Sequence, residues 1–186
     1  MEQWCFNENL WLKAKWAPPW QRLPRRYVHR GRGPWSRRGI SIAVPPLKKR
    51  MTAPLRALRA LDLFSGTGSI TKAFRNSGHD CDSLDMDPRF APTFCVNILE
   101  WDYKAMPRGH YDAIWTSPPC ENYSIARSNA RAPRDLALAD ALVHRTLEII
   151  EWLQPRAWFI ENPAGSLLWR RFQFPRVVQT SYCSYG

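Results

Sequence analysis

The chain has 186 residues, 45% of them hydrophobic, and a formal charge of +11. That length holds about one domain, and the apolar fraction excludes a chain disordered throughout. The charge suggests nucleic acid but is unevenly placed: residues 1–50 hold 12 Lys and Arg against Glu2 and Glu8, while the rest is nearly neutral at +1.

The five cysteines (Cys5, Cys81, Cys95, Cys120, Cys183) are odd in number and lack C-x-x-C spacing. This argues against a disulfide framework or a zinc knuckle, so no metal site is expected, and it fits a reducing compartment. No apolar run approaches the ~18 residues needed to span a bilayer, and no signal-peptide segment is visible. The expected location is intracellular, in cytoplasm or nucleus, with no membrane partner.

Residues 1–50 form a separate compositional zone, a basic leader with five of the ten tryptophans and six prolines. Its basic cluster runs from Arg22 to Arg38 and includes Gly31-Arg32-Gly33. Neither a helical nor a strand period persists, so the leader is expected to be disordered. It reads as a nucleic-acid arm, with Arg and Lys for phosphates and Trp for stacking, or as an acid-poor targeting leader. A third reading is that translation begins at Met51, and residues 51–186 are taken as the folded part.

From Arg56 the pattern changes. Ala57 to Phe64 ends in an apolar run, expected to be a buried strand, and Ser65-Gly66-Thr67-Gly68 forms a turn. Ser69 to Asn76 reads as a short helix and His79 to Asp85 as a second strand. Tyr111 to Trp115 is a third strand, followed at once by Thr116-Ser117-Pro118-Pro119-Cys120. The clearest helix covers Asp135 to Leu153, where Leu136, Ala139, Leu142, Val143, Thr146, Ile150 and Leu153 share one face. Arg156 to Ile160 is a fourth strand, running into Glu161-Asn162-Pro163. Strands alternating with helices imply an α/β fold with a parallel sheet, in which ligands gather beyond the strands' carboxyl ends. The glycine turn, Asp85, Pro-Pro-Cys and Glu-Asn-Pro all fall at such ends.

The turn after Phe64 lets backbone approach a ligand closely, and the missing Lys-[Ser/Thr] excludes a phosphate loop of the NTPase kind. Asp85, about 20 residues on, is placed for ribose hydroxyls, with Asp87 as a competitor. Asp102 could face an adenine amino group. At the other end, two prolines stiffen the backbone before Cys120, as suits a thiol that must be aimed. An ordinary thiol titrates near 8.5 and needs a positive neighbour for activation, Arg127 being one candidate. Glu161 follows three apolar residues, so burial should raise its pKa and favour a protonated carboxyl able to donate to a ring nitrogen.

Leu61-Asp62-Leu63-Phe64-Ser65-Gly66-Thr67-Gly68 resembles the first motif of cytosine-5 DNA methyltransferases. Pro118-Pro119-Cys120 resembles their nucleophile loop, and Glu161-Asn162-Pro163 their Glu-Asn-Val motif with Pro in the last place. Order and spacing agree over roughly residues 57–186, and Pro-Pro-Cys-Glu-Asn-Tyr-Ser is closest in wording to members from large DNA viruses and phages.

The resemblance implies a Rossmann-like class I fold that binds S-adenosylmethionine, with Phe64, Ser65, Gly66, Gly68, Asp85, Met86, Asp102 and Pro118 lining the cofactor pocket. It implies methylation of cytosine carbon 5 in double-stranded DNA, with Cys120 as nucleophile and Glu161 as donor to ring nitrogen 3. In the family, the segment corresponding to residues 181–186 is followed by a basic motif, a target-recognition region and a final piece of the cofactor pocket. The chain is therefore expected to be truncated before the recognition region, with weak or absent activity alone, unless a second chain supplies the missing half or the basic leader substitutes for it. Two rivals stand beside this reading. One is an amino-methyltransferase, which would share Ser117-Pro118-Pro119 but place an aromatic residue at 120; the other is a non-catalytic module of the same fold.

Overall fold

The computed structural model describes residues 40–45, 56–124 and 133–180. It contains one seven-stranded sheet in the order β4-β3-β2-β5-β6-β1-β7. The strands are β1 (Ile40–Val44), β2 (Arg59–Leu63), β3 (Asp80–Asp85), β4 (Phe94–Cys95), β5 (Ala113–Thr116), β6 (Ala157–Pro163) and β7 (Arg176–Thr180). Among the described residues three α-helices accompany them: α1 (Ser69–Asn76), α2 (Leu136–Leu153) and the short α3 (Leu168–Arg171).

β2, β3, β4, β5 and β6 are mutually parallel, so Leu63, Asp85, Thr116 and Pro163 end on one edge. β1 pairs antiparallel with both β6 and β7. The sheet is therefore mixed rather than wholly parallel.

One sheet face is the main core. Leu61, Leu63, Ile114, Trp158 and Ile160 pack there with Ile149, Ile150 and Leu153 of α2. The helical face expected for α2 is present: Ala139, Val143, Thr146, Ile150 and Leu153 are buried, joined by Ile149. Asp135 caps its N-terminus, accepting from the Leu138 amide at 2.8 Å, and Gln154 ends it in the left-handed region at φ 50°. Opposite, Phe74 of α1 covers Ala60, Cys81 and Ala113.

Two expectations are corrected. Residues 40–44, assigned to the leader, form β1, which fills the gap between β6 and β7; residues 1–39 lie outside the described residues, as does Met51. The fourth strand also continues past Ile160, so Glu161 sits inside β6 rather than after it. The cause is β1 itself: Ala43, Ile42, Ser41 and Ile40 stand opposite Ile160, Glu161, Asn162 and Pro163 and supply that segment's ladder partner.

Candidate active site

The parallel strands deliver two groups of side chains to their shared carboxyl edge. The first follows β2. Phe64 adopts φ 60°, and Gly66 and Gly68 adopt φ 48° and 73°, a region that side chains with a Cβ seldom enter. A Cβ built on Gly66 would meet nothing within 4 Å, so this bend opens onto free space. The turn is tied down by Ser65 N–H to the Leu84 carbonyl (3.1 Å) and Gly68 N–H to the Ser65 carbonyl (2.8 Å). Buried Asp62, on β2, accepts from both the amide (3.0 Å) and hydroxyl (2.7 Å) of Thr71, which anchors α1 above the turn. Burial holds the Asp62 carboxyl above its ordinary value, against those two bonds.

Asp85, at the end of β3, is tied to the same turn. One of its oxygens accepts from Gly66 N–H at 2.8 Å and the other from Asp87 N–H at 2.9 Å. Each carboxylate oxygen keeps a second lone-pair direction, so hydroxyl donors can still be received. Asp87 is engaged by the Arg89 guanidinium at 2.9 Å, which leaves Asp85 the better placed of the two. Met86 beside it is 71% exposed, an apolar side chain held in water. Asp102 is exposed and starts a 3-10 turn at Tyr103–Ala105 without capping it.

The second group follows β5 and β6, which pair so that Thr116 lies opposite Ile160. Buried Asn162 donates from Nδ2 to the Pro118 carbonyl at 2.8 Å, joining the Pro-Pro-Cys loop to β6. Beyond the thiol, Tyr123 N–H donates to the Cys120 carbonyl at 3.0 Å, and the Tyr123 carbonyl accepts from Leu167 N–H at 2.9 Å. The fully buried Tyr123 donates its hydroxyl to Asp140 at 2.7 Å, and Asp140 is also gripped by Arg171. Asp135 N–H donates to the Asn122 side chain at 3.1 Å, a further tie between loop and α2.

Cys120 and Glu161 are both half-buried and interact electrostatically. Burial raises the Cys120 thiol above its ordinary value, and the carboxylates of Glu161 and Glu121 push it the same way. Burial also raises Glu161, as its apolar approach predicted, with Ser117 opposing through a hydrogen bond. Arg127, the proposed activator of the thiol, lies outside the described residues.

Cys81, Cys95 and Cys120 are free thiols, and burial pushes Cys81 up to about 11. Among the described residues no group of three or more His, Cys, Asp or Glu could hold a metal ion. Nor is any described helix long and apolar enough to cross a membrane. A polar cleft of about 500 Å³ lies at the opposite edge, lined by Arg59, Arg75, Asp80, Cys81, Asp82 and His110. It contains none of the expected site residues.

Sequence reasoning passed over Asp62, Ser117 and the Tyr123–Asp140–Arg171 network. Asp62 carried one usable signal, since an acid within an apolar strand needs a donor nearby. The network carried none, because its members are far apart in the chain.

The family model for C-5 cytosine-specific DNA methylase matches residues 58–171, which include the glycine turn, Cys120 and Glu161. The chain belongs to the C-5 cytosine-specific DNA methylase family. It is similar to the probable DNA (cytosine-5)-methyltransferase of Frog virus 3 (isolate Goorha), 34% identical over 142 residues, covering 69% of this chain and 64% of that protein. It is also similar to the type II methyltransferase M.HpaII of Haemophilus parainfluenzae, 30% identical over 116 residues, covering 56% of this chain and 31% of that one. The chain thus spans less than two thirds of the length of these relatives. With C-5 methylase membership, the mixed seven-stranded sheet and its helices are a Rossmann-like methyltransferase fold.

Proposed function

We propose that this C-5 methylase chain transfers a methyl group from S-adenosylmethionine to carbon 5 of cytosine in double-stranded DNA, with Cys120 as nucleophile and Glu161 as proton donor. One observation carries the reading: the Asn162–Pro118 hydrogen bond ties the loop that carries the Cys120 thiol to β6, in which the half-buried Glu161 stands next to Asn162. Both relatives are named as methyltransferases, one of them for cytosine-5 chemistry.

The chain's residues fit the methyl donor. The Gly66 bend opens onto free space, Asp85 retains acceptor capacity for ribose hydroxyls, and exposed Met86 offers an apolar surface for an adenine ring. Phe64, Ser65, Gly68, Asp102 and Pro118 complete the proposed set. The bound donor supplies an electrophilic methyl group.

The target base must leave the duplex stack before a side chain can reach it. The Cys120 thiolate adds to ring carbon 6, forming a C–S bond while electrons move toward carbon 5 and nitrogen 3. Glu161 donates its proton at nitrogen 3, which stabilises the enamine whose carbon 5 takes the methyl group. Loss of the carbon-5 proton to a base then expels the Cys120 sulfur, and return of the nitrogen-3 proton to the Glu161 carboxylate restores the neutral ring.

Burial of both acids suits this division. Thiolate with neutral carboxyl differs from thiol with carboxylate only in where one proton sits. A neutral Glu161 also removes one of the negative charges that hold the thiol up.

Trapping on a duplex containing 5-fluorocytosine tests the mechanism. With S-adenosylmethionine present, a denaturation-resistant protein–DNA adduct is expected, and Cys120→Ser should abolish it. Methylation of an ordinary duplex without any trapped species would favour the amino-methyltransferase chemistry and overturn this proposal.

A further inference from the structure

One face of the sheet carries a row of partly exposed side chains that ends on Glu161. β5 and β6 pair Trp115 with Phe159 and Thr116 with Ile160, and side chains alternate along a strand, so Trp115, Ser117, Phe159 and Glu161 share that face. The Trp115 and Phe159 rings stack there, with centroids 5.5 Å apart and planes at 29°. The Trp115 indole donates from Nε1 to Ser117 Oγ at 3.0 Å. Ser117 N–H donates to the Leu63 carbonyl at 3.3 Å, so β2 also holds the backbone that carries this hydroxyl. Ser117 in turn hydrogen-bonds the Glu161 carboxyl.

Donor and acceptor inventories fix the direction of that last bond. An indole N–H only donates, a hydroxyl has one hydrogen and two lone pairs, and a carboxylate only accepts. Ser117 therefore receives from Trp115 and gives its single hydrogen to Glu161. When Glu161 is protonated, the oxygen that accepts from Ser117 is the carbonyl oxygen, and the proton sits on the other. The bond favours the carboxylate and works against the burial that keeps the carboxyl protonated, so its use is placement rather than proton affinity. Among the described residues, Ile42 of β1, Ser117 after β5 and Cys120 on the loop beyond face Glu161, and of these the thiol alone titrates.

We propose that Ser117, oriented by the Trp115 indole, is the positioning residue of this site: it fixes the Glu161 carboxyl and selects the oxygen that presents a proton to the base. This rests on the proposed function for the identity of the base. The proton leaves from the oxygen that Ser117 does not bind, and the same oxygen takes it back when the ring is restored.

The test is a double-mutant cycle between Ser117→Ala and Glu161→Gln, by urea unfolding of the full chain at about pH 5 and about pH 8. Without Ser117 the native carboxyl rises further above its unfolded value, and a raised native value costs stability as pH climbs through it. The Ser117→Ala penalty should therefore grow from the lower pH to the higher one, and should not change with pH in the Glu161→Gln background. Trp115→Phe keeps a ring against Phe159 but removes the N–H, and should show a smaller growth of the same sign. Trapping on 5-fluorocytosine duplex reads the consequence. Ser117→Ala should slow adduct formation about tenfold although its carboxyl keeps the proton better, and should add little to Glu161→Gln. A penalty that does not vary with pH overturns the proposal, as does a trapping rate unchanged or raised by Ser117→Ala, or a Trp115→Phe protein with the parent's pH dependence. Unfolding needs neither DNA nor a methyl donor. A parent that shows the pH-dependent coupling but traps no adduct would therefore sink the chemistry of Cys120 and leave the placement of Glu161 standing.

Discussion

Asn162 offers the sharpest perturbation of the proposed site, because it is 1% exposed and its Nδ2 donates to the Pro118 carbonyl at 2.8 Å. Asn162→Ala loses a hydrogen bond with a net worth of about 1 kcal/mol, strands a carbonyl at a further cost of about 1 kcal/mol or more, and leaves a small cavity. A total of about 2–3 kcal/mol is expected. Asn162→Asp keeps the shape but turns the donor into a second acceptor facing the same carbonyl. At neutral pH it also buries a charge, so about 3–5 kcal/mol is expected. The ordering inverts ordinary intuition, since the near-isosteric change is the worse one.

The introduced carboxyl should titrate above an ordinary aspartate, because the native state favours its protonated form, which can again donate to Pro118. The Asp variant is then penalised more as pH rises, and its gap to the Ala variant closes on acidification. Urea unfolding of both variants at about pH 8 and about pH 5 measures this directly. If Asn162→Asp is as stable as the parent at the higher pH, the clamp between loop and strand does not exist as described.

Glu161 makes a second pH prediction. Burial holds its carboxyl above the usual value of 4.5, so the native state keeps a proton that the unfolded chain has released, and stability falls as pH rises from there through the raised native value. Glu161→Gln should therefore gain stability relative to the parent above that window and match it below, as followed by Tm in matched buffers, while the rate of 5-fluorocytosine adduct formation falls by about a hundredfold or more. Gly66→Ala should cost about 1–2 kcal/mol of stability because of its positive φ. Calorimetric affinity for S-adenosylmethionine should fall as well, since the added methyl enters open space at the turn; unchanged affinity would move the donor away from this bend.

The parallel half of the sheet was legible because each strand is a short apolar run cut off by residues with a mechanism of their own. Gly66 and Gly68 turn the chain after β2, and Pro118 and Pro119 stiffen it after β5. The helix period marked α2 almost to the residue, because its buried positions recur on one face, packing on the sheet at Ile149, Ile150 and Leu153 and on Tyr123, Leu168 and Phe172 at Ala139 and Val143. β1 was not legible, although Ile40-Ser41-Ile42-Ala43-Val44 alternates. Its buried positions are the small Ser41 and Ala43, while the isoleucines and Val44 are only half-buried, so hydrophobicity marks the wrong face. Its formation also depends on pairing with residues more than a hundred positions later. β7 was missed for the same reason, because its neighbour in the sheet is β1.

The same dependence governs the candidate catalytic pair. Residue types announced the chemistry, since a thiol behind two prolines and an acid behind three apolar residues are each unusual. Their relation is a property of the folded sheet. Glu161 is aligned because β5 supports β6 on one side and β1 supports it on the other, through Ile42. A thiol raised by burial and by nearby carboxylates is a poor nucleophile, and a carboxyl held above its usual range is a poor counter-charge. A carboxyl that keeps its proton no longer adds its charge to the burial that opposes thiolate formation, and it holds the proton that the ring nitrogen needs. Partial burial of Glu161 therefore suits the donor role of the proposed reaction, while the thiol still needs an activating neighbour.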